Sequence, residues 1–249
     1  MGSTVCQAVA DDPDLDLVAA VDPHYRGIDL RTVTGVDSEL RFSGEPGAFG
    51  RVGAEVVIDF STRDPSMGNL EWCASEGVHA VVGTTGFDDA DVERLRGAFT
   101  SSNCVIAPNF AIGAVLMMHF AAQAAPYFDS VEVIELHHDQ KVDAPSGTAM
   151  LTLQKLAEAS GRWSEDPTEN ELVGGSRGGE GPGGIRVHSL RLRGLVAHQE
   201  VLLGATGQTL SIRHDSIDRT SFMPGVVLAV KQVGDHPGLT LGLDQLLGL

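Results

Sequence analysis

The sequence predicts an α/β protein: a doubly wound parallel sheet followed by a second, α+β domain. Two observations predict this. From Glu55 to Ala107, short apolar runs alternate with helical patterns, which sets strands parallel and gathers their following loops at one edge. After Asn109 that alternation stops. A long apolar helix, one strand, another helix and several long hairpin-like strands follow.

Taken in order, Ser3–Ala10 reads as a helix, Leu15–Val21 as a strand ending at Asp22, and Glu55–Phe60 as a strand running into Ser61-Thr62. Residues 66–75 form a helix, Val78–Val82 a strand leading into Gly83-Thr84-Thr85, Asp89–Phe99 a helix and Asn103–Ala107 a strand. The apolar stretch Ala111–Ala125, interrupted by His119 and Gln123, is too short to span a bilayer and reads as a buried helix. Residues 131–136 alternate as a strand. Pro145 stops the extended run, Ser146 is placed as an N-cap, and residues 148–159 form a helix carrying Met150, Leu151, Leu153 and Leu156. Strands follow at 185–193, 196–204 and 208–214, then a helix at Gly225–Gly234 and the apolar Leu239–Leu241. This divides the chain into a first domain (1–109), a second (110–221) and a C-terminal return to the first (222–249). The glycine-rich segment Gly174–Gly184 lacks a strand-to-helix setting and reads as a mobile surface connection, not a phosphate loop.

Composition narrows the function classes. A net charge of −17 argues against nucleic acid or an anionic membrane as partner, since both need a basic face. Yet ten of the seventeen Lys and Arg lie between Lys141 and Lys231, so the second domain is the place for an anionic ligand. Cys6, Cys73 and Cys104 are widely spaced and read as reduced residues of a cytoplasmic protein, neither a disulfide frame nor a zinc site. No secretory signal opens the chain.

The chemistry concentrates in Glu135-Leu136-His137-His138-Asp139-Gln140-Lys141-Val142-Asp143-Ala144-Pro145-Ser146-Gly147-Thr148-Ala149. The histidines stand at the carboxyl end of a strand, where α/β enzymes place reactive groups. The N–H groups opening the helix at Gly147 and Thr148 form an anion site, and Lys141 adds a cation that can donate a proton. Together they describe a pocket that grips a carboxylate and protonates the molecule carrying it. Two alternatives stand beside this: histidines making ordinary hydrogen bonds, or a metal pair. The second is disfavoured because adjacent strand residues point to opposite faces, so no metal is expected.

This fifteen-residue string resembles the dihydrodipicolinate reductases of bacterial lysine biosynthesis. The resemblance continues through Gly83-Thr84-Thr85-Gly86-Phe87, Ala107-Pro108-Asn109-Phe110, Arg213-His214 and Asp218-Arg219, and covers nearly the whole chain. It implies a Rossmann-like first domain, a substrate-binding and oligomerisation second domain, and reduction of 4-hydroxy-tetrahydrodipicolinate by NADH or NADPH. It further implies a small dicarboxylate as partner and a homotetramer. His137 matches the family's proton donor/acceptor, Lys141 a proton donor, and His138, Gly147 and Thr148 its substrate contacts, with Ser146 less clearly so. Gly83, Thr84, Thr85, Ala107, Pro108, Asn109 and Phe110 match cofactor contacts. Arg219 and Phe222 match positions near the interdomain crevice, and Asp59 and Thr62 are expected near the nicotinamide.

The start departs from the family pattern. Met1-Gly2-Ser3-Thr4 looks like the end of the glycine-rich loop, with Gly2 as its last glycine. Asp22 follows at the spacing of the acidic residue that accepts the ribose hydroxyls. That carboxylate favours NADH, while His24 or Arg26 could accommodate the extra phosphate of NADPH. About a dozen residues, one strand and its turn, are expected to precede Met1. Without them Leu15–Val21 and Glu55–Phe60 would lack a shared neighbour, predicting poor folding or weak nucleotide binding. The alternative function is then a non-catalytic dicarboxylate-binding or inactive fragment.

Overall fold

A computed structural model describes all residues from Met1 to Leu249. The chain divides into two compact units: Met1–Phe110 with Phe222–Leu249, and Ala111–Ser221.

In chain order the first unit comprises α1 (Gly2–Asp11), α2 (Leu30–Thr34), α3 (Gly47–Arg51), β1 (Val56–Asp59), α4 (Arg63–Glu76), β2 (His79–Val82), α5 (Asp89–Ala98) and β3 (Cys104–Ile106). The second comprises α6 (Ile112–Ala124), β4 (Ser130–His137), α7 (Gly147–Ala159), β5 (Gly179–Glu180), β6 (Arg186–Arg191), β7 (Ala197–Ala205) and β8 (Gln208–Ser216). The chain then returns to the first unit with α8 (Met223–Gln232) and β9 (Leu239–Leu241).

The first sheet has the order β1-β2-β3-β9, every pair parallel. Val57, Ala80, Val82, Cys104 and Ile106 pack with Met67, Leu70 and Cys73 of α4 and Leu95 of α5. Val81 and Val105, of opposite pleat parity, are fully buried; α8 also packs on β2, and α1 packs on α8. The register aligns the carboxyl ends, and the ladder runs one residue past each strand: Gly83 N–H donates to Asp59 O, Ala107 N–H to Val82 O, and Gly242 N–H to Ile106 O. Three turns that the sequence marks as functional therefore leave from one edge.

Leu15–Val21 is not a strand. No ladder partner lies along it; Val21 makes a single bridge with Ser43, with Ser43 N–H donating to Ala20 O and Asp22 N–H to Ser43 O. The extended state of an apolar run needs a neighbour to complete its hydrogen bonds. Here the segment contributes to a separate small core of Ala20, Leu30, Val36 and Phe42.

The second sheet is mixed, in the order β5-β6-β4-β7-β8. β4 runs parallel to β6, and every other adjacent pair is antiparallel. Val131, Val133, Val201 and Leu203 pack with Ala121 of α6 and Ala149, Leu153 and Leu156 of α7. The buried stripe of α7 is thus Ala149, Thr152, Leu153 and Leu156, and Met150 is exposed.

The glycine-rich segment is a mostly exposed surface connection that carries a defined set of contacts. The Glu171 carboxylate accepts the N–H groups of Gly175 (2.7 Å) and Arg177 (3.1 Å), and Arg177 pairs with Glu132 and Asp166. Gly179–Glu180 then joins the sheet against β6. Gly178 makes that entry possible: its φ is +71°, and a Cβ there would sit 2.5 Å from Val187 O. The three cysteines are free, with Cys73 and Cys104 buried. No helix is long and apolar enough to cross a membrane.

Candidate active site

In the second unit the site begins with the pleat of β4. Val131, Val133 and Glu135 share the core-facing parity, and His137 follows at the same parity. Glu135 is fully buried, a carboxylate in a position where β4 otherwise places valine. Three nitrogens from two side chains bond to it. Arg191 of β6 donates from both terminal nitrogens, to Oε1 at 2.8 Å and Oε2 at 2.9 Å, and His137 Nδ1 lies 2.6 Å from Oε2. Burial pushes this carboxyl up, but hydrogen bonds from His137, Arg191 and Ser189 outweigh that and hold it at about 2. Glu135 is therefore ionised at neutral pH.

Arg191 reaches further. Its Nη2 also donates to Asp143 O at 2.7 Å, tying strand β6 to the loop after the histidines. On that loop Lys141 Nζ donates to both carboxylate oxygens of Asp143, at 2.8 and 2.9 Å. The Lys141 contact holds Asp143 below the ordinary carboxylate range. His138 is exposed, and its carbonyl accepts the Lys141 N–H at 3.2 Å. The loop ends at buried Ser146, whose Oγ accepts the Ala149 N–H (3.2 Å) and caps α7. Nothing lies within 4 Å of where a Cβ on Gly147 would stand, so the mouth of this thirteen-residue helix is open at its first position. One chain of contacts thus joins His137, Glu135, Arg191, Asp143 and Lys141.

Beside this row, Gln199 of β7 pairs across from Glu135, and His214 of β8 across from Gln199. Gln199 Nε2 donates to Thr152 Oγ1 at 2.6 Å. Burial lowers the His214 imidazole below its usual value; Asp215 opposes this shift and His198 adds to it.

In the first unit the aligned strand ends bring Asp59, Gly83, Thr84 and Ala107 to one edge. Buried Asp59 organises it: Oδ1 accepts Ser61 N–H (2.9 Å), Ser61 Oγ (2.7 Å) and Thr84 Oγ1 (2.8 Å), and Oδ2 accepts Asn69 Nδ2 (2.7 Å). Phe60 lies over Gly83, where a Cβ would fall 2.0 Å from its ring, and packs on Phe110 at a centroid distance of 5.7 Å. Thr85 and Pro108 are exposed at the same turns, and Asn109 is half-buried. Thr62 is the N-cap residue of α4.

Gly2 and Asp22 stand elsewhere in this unit. Gly2 opens α1, whose first turn carries no acidic residue and no side-chain cap, with nothing within 4 Å of a Cβ. Asp22 ends the extended segment half-buried and accepts the His24 N–H at 2.9 Å. Two of these features suit a dinucleotide: a helix first turn without an acidic residue to repel a diphosphate, and a carboxylate acceptor for ribose hydroxyls. Arg219 and Phe222 fall in one 3₁₀ turn, on either side of the boundary between units.

Comparison with known proteins matches this geometry to a family. A family model described as "Dihydrodipicolinate reductase, N-terminus" matches residues 1–110, and one described as "Dihydrodipicolinate reductase, C-terminus" matches 113–247. The chain belongs to the dihydrodipicolinate reductase family. Within it, 4-hydroxy-tetrahydrodipicolinate reductase from Nocardia farcinica is 52% identical, the alignment covering 100% of this chain and 95% of that protein. The enzyme of the same name from Cutibacterium acnes is 50% identical with the same coverage. A dipicolinate-bound dihydrodipicolinate reductase from Paenisporosarcina sp. TG-14 superposes with a TM-score of 0.85 at 38% identity, covering 98% of this chain and 94% of that one. An amine dehydrogenase from Mycobacterium smegmatis, at 13% identity and a TM-score of 0.65, shares the fold alone.

Residue types and spacing did not reveal Arg191, or Asp143 as the partner of Lys141. Glu135 was within reach, since a charged residue at the parity of Val131 and Val133 signals a buried partner.

Proposed function

We propose that this dihydrodipicolinate reductase family member reduces 4-hydroxy-tetrahydrodipicolinate to tetrahydrodipicolinate with NADH or NADPH, in lysine and diaminopimelate biosynthesis. The observation that carries the reading is the single stretch in which His137, Lys141 and the capped mouth of α7 are held together by carboxylates and Arg191. The reaction takes in a hydride and a proton, breaks the carbon–hydroxyl bond and releases water. When bound, the nicotinamide supplies the hydride.

The chain's own residues do the rest. His137 and Lys141 deliver the proton toward the departing hydroxyl, with Asp143 keeping the ammonium in place. The N–H groups at Gly147 and Thr148, with the His138 imidazole, hold the substrate carboxylates. At the edge of the first sheet, Gly83, Thr84, Thr85 and Ala107 to Phe110 contact the cofactor, Gly2 borders its diphosphate, and Asp22 accepts its ribose hydroxyls. The Asp22 carboxylate favours NADH over a 2′-phosphate.

The proposal includes a cytoplasmic homotetramer built through the second sheet. Its support is that α6 and α7 pack on the Val131/Val133 face, while Ile134 and Leu136 of the other parity are half-buried and Leu202 is exposed.

The test is oxidation of NADH or NADPH, followed by absorbance, with freshly generated substrate. His137→Ala and Lys141→Ala are expected to lower kcat by on the order of 10²-fold or more and leave cofactor affinity intact. Equal losses in cofactor binding for both would refute the assignment. A folded wild-type protein that binds dicarboxylate without turnover would favour the non-catalytic reading.

A further inference from the structure

Fully buried carboxylates are rare, and Glu135 lies two residues before the proton-transferring histidine on the same face of the same strand. His137 Nδ1 sits 2.6 Å from Glu135 Oε2, at the short end of a charge-assisted hydrogen bond. An ionised carboxylate only accepts, so the proton between these atoms belongs to Nδ1. In the neutral ring Nε2 is then the atom without hydrogen. The imidazole is only 15% exposed, so its orientation is set from within the protein.

Arg191 makes this arrangement tolerable inside the protein. Its fork occupies both oxygens of Glu135, so the carboxylate is paired as well as buried. The same guanidinium donates to Leu190 O (2.7 Å) and Asp143 O (2.7 Å). Asp143 in turn holds Lys141. A displacement of Arg191 therefore acts on both proton donors of the proposed reaction at once, though its hydrogen bonds go to Glu135 and to backbone carbonyls.

We propose that Glu135 and Arg191 are a positioning pair: the carboxylate accepts the hydrogen bond of the His137 Nδ1–H and leaves Nε2 as the proton-transferring atom, while the guanidinium fixes the Lys141 loop to the same anchor. The pair rests on the reductase reading for its purpose, but the ring orientation it imposes is measurable without turnover.

The experiment is ¹⁵N NMR of histidine-labelled protein, with His137 assigned by its loss in His137→Ala, alongside steady-state kinetics of Glu135→Gln. In the wild-type protein the neutral His137 ring is expected to carry its hydrogen on Nδ1. In Glu135→Gln the ring is expected to shift toward the Nε2–H tautomer, with kcat falling by on the order of 10²-fold and the cofactor KM unchanged. A merely structural role would not move the tautomer. An Nε2–H tautomer in the wild-type protein overturns the inference, and this reading needs no variant to fold. An Nδ1–H ring that persists in Glu135→Gln with unchanged kcat overturns it as well. An Nδ1–H ring in a wild-type protein without turnover sinks the reductase reading and leaves the imposed orientation standing.

Discussion

Replacing Gly83 by alanine adds one methyl group at the tightest approach in the first unit. The new Cβ would stand 2.0, 2.5 and 2.6 Å from three carbons of the Phe60 ring, where ordinary contact begins near 3.4 Å. The ring must therefore retreat by about 1.4 Å, and it is backed by Phe110, which is only 2% exposed. Overpacking of this kind costs about 1–3 kcal/mol. At about 2–4 °C per kcal/mol for a chain of this size, the melting temperature of the first unit falls by roughly 2–12 °C. The two tryptophans, Trp72 and Trp163, lie in different units. A Trp163→Phe background therefore lets Trp72 fluorescence report on the first unit alone. Phe60→Ala removes the obstructing ring, so Phe60→Ala with Gly83→Ala should lose clearly less stability than the two single changes added together. Strict additivity, or a Gly83→Ala protein as stable as its parent, refutes the reasoning.

Two further outcomes follow from the buried carboxylates. Thr84→Val keeps the shape of the side chain but deletes the hydroxyl that donates to Asp59, and should cost about 1.5–3 kcal/mol by urea unfolding read at Trp72. A neutral effect would mean that the Thr84 contact does not matter to Asp59. Glu135 is held down to about 2 from 4.5, so its ionised form stabilises the fold. That contribution is present in full above the unfolded value and is lost as the pH falls through the folded one. Urea midpoints read at Trp163 should thus drop between pH 4.5 and 2 more steeply in the wild-type protein than in Glu135→Gln. Parallel curves would contradict the pairing.

Local pattern made most of the fold legible. The helices and strands from Glu55 to Ala107 and the long strands of the second unit all stand close to where periodicity puts them, because each buries an apolar face that the local residues declare. Leu15–Val21 has the residues of a strand, but being a strand is a property of a pair, and no local signal reports whether the partner exists. The contacts of the glycine-rich segment were illegible for a related reason. Its order comes from Arg177 meeting Glu132, 45 residues away in sequence, and from Gly179 and Glu180 joining the sheet. At the site, helix capping by Ser146 and the placement of His137 at a strand end were readable, since both depend on neighbours in sequence. Arg191 was not, being 56 residues from Glu135 and resembling any other arginine of an exposed-looking strand. On α7, Met150 looked like part of the apolar stripe, but the helical phase is set by Ala149, Leu153 and Leu156, which leaves Met150 outside.

The two-residue period of β4 has a consequence for how this chain can vary. Between Ser130 and His137 the side chains at odd numbers share one face and those at even numbers the other. A substitution alters one of these positions, but an insertion or deletion of a single residue inverts every position beyond it. Leu136 or His138 would arrive where His137 belongs, and the charge of Glu135 would swing away from Arg191 to the opposite side of the sheet. The segment therefore works as a fixed-length gauge: its residue count is as constrained as the identity of the histidine at its end.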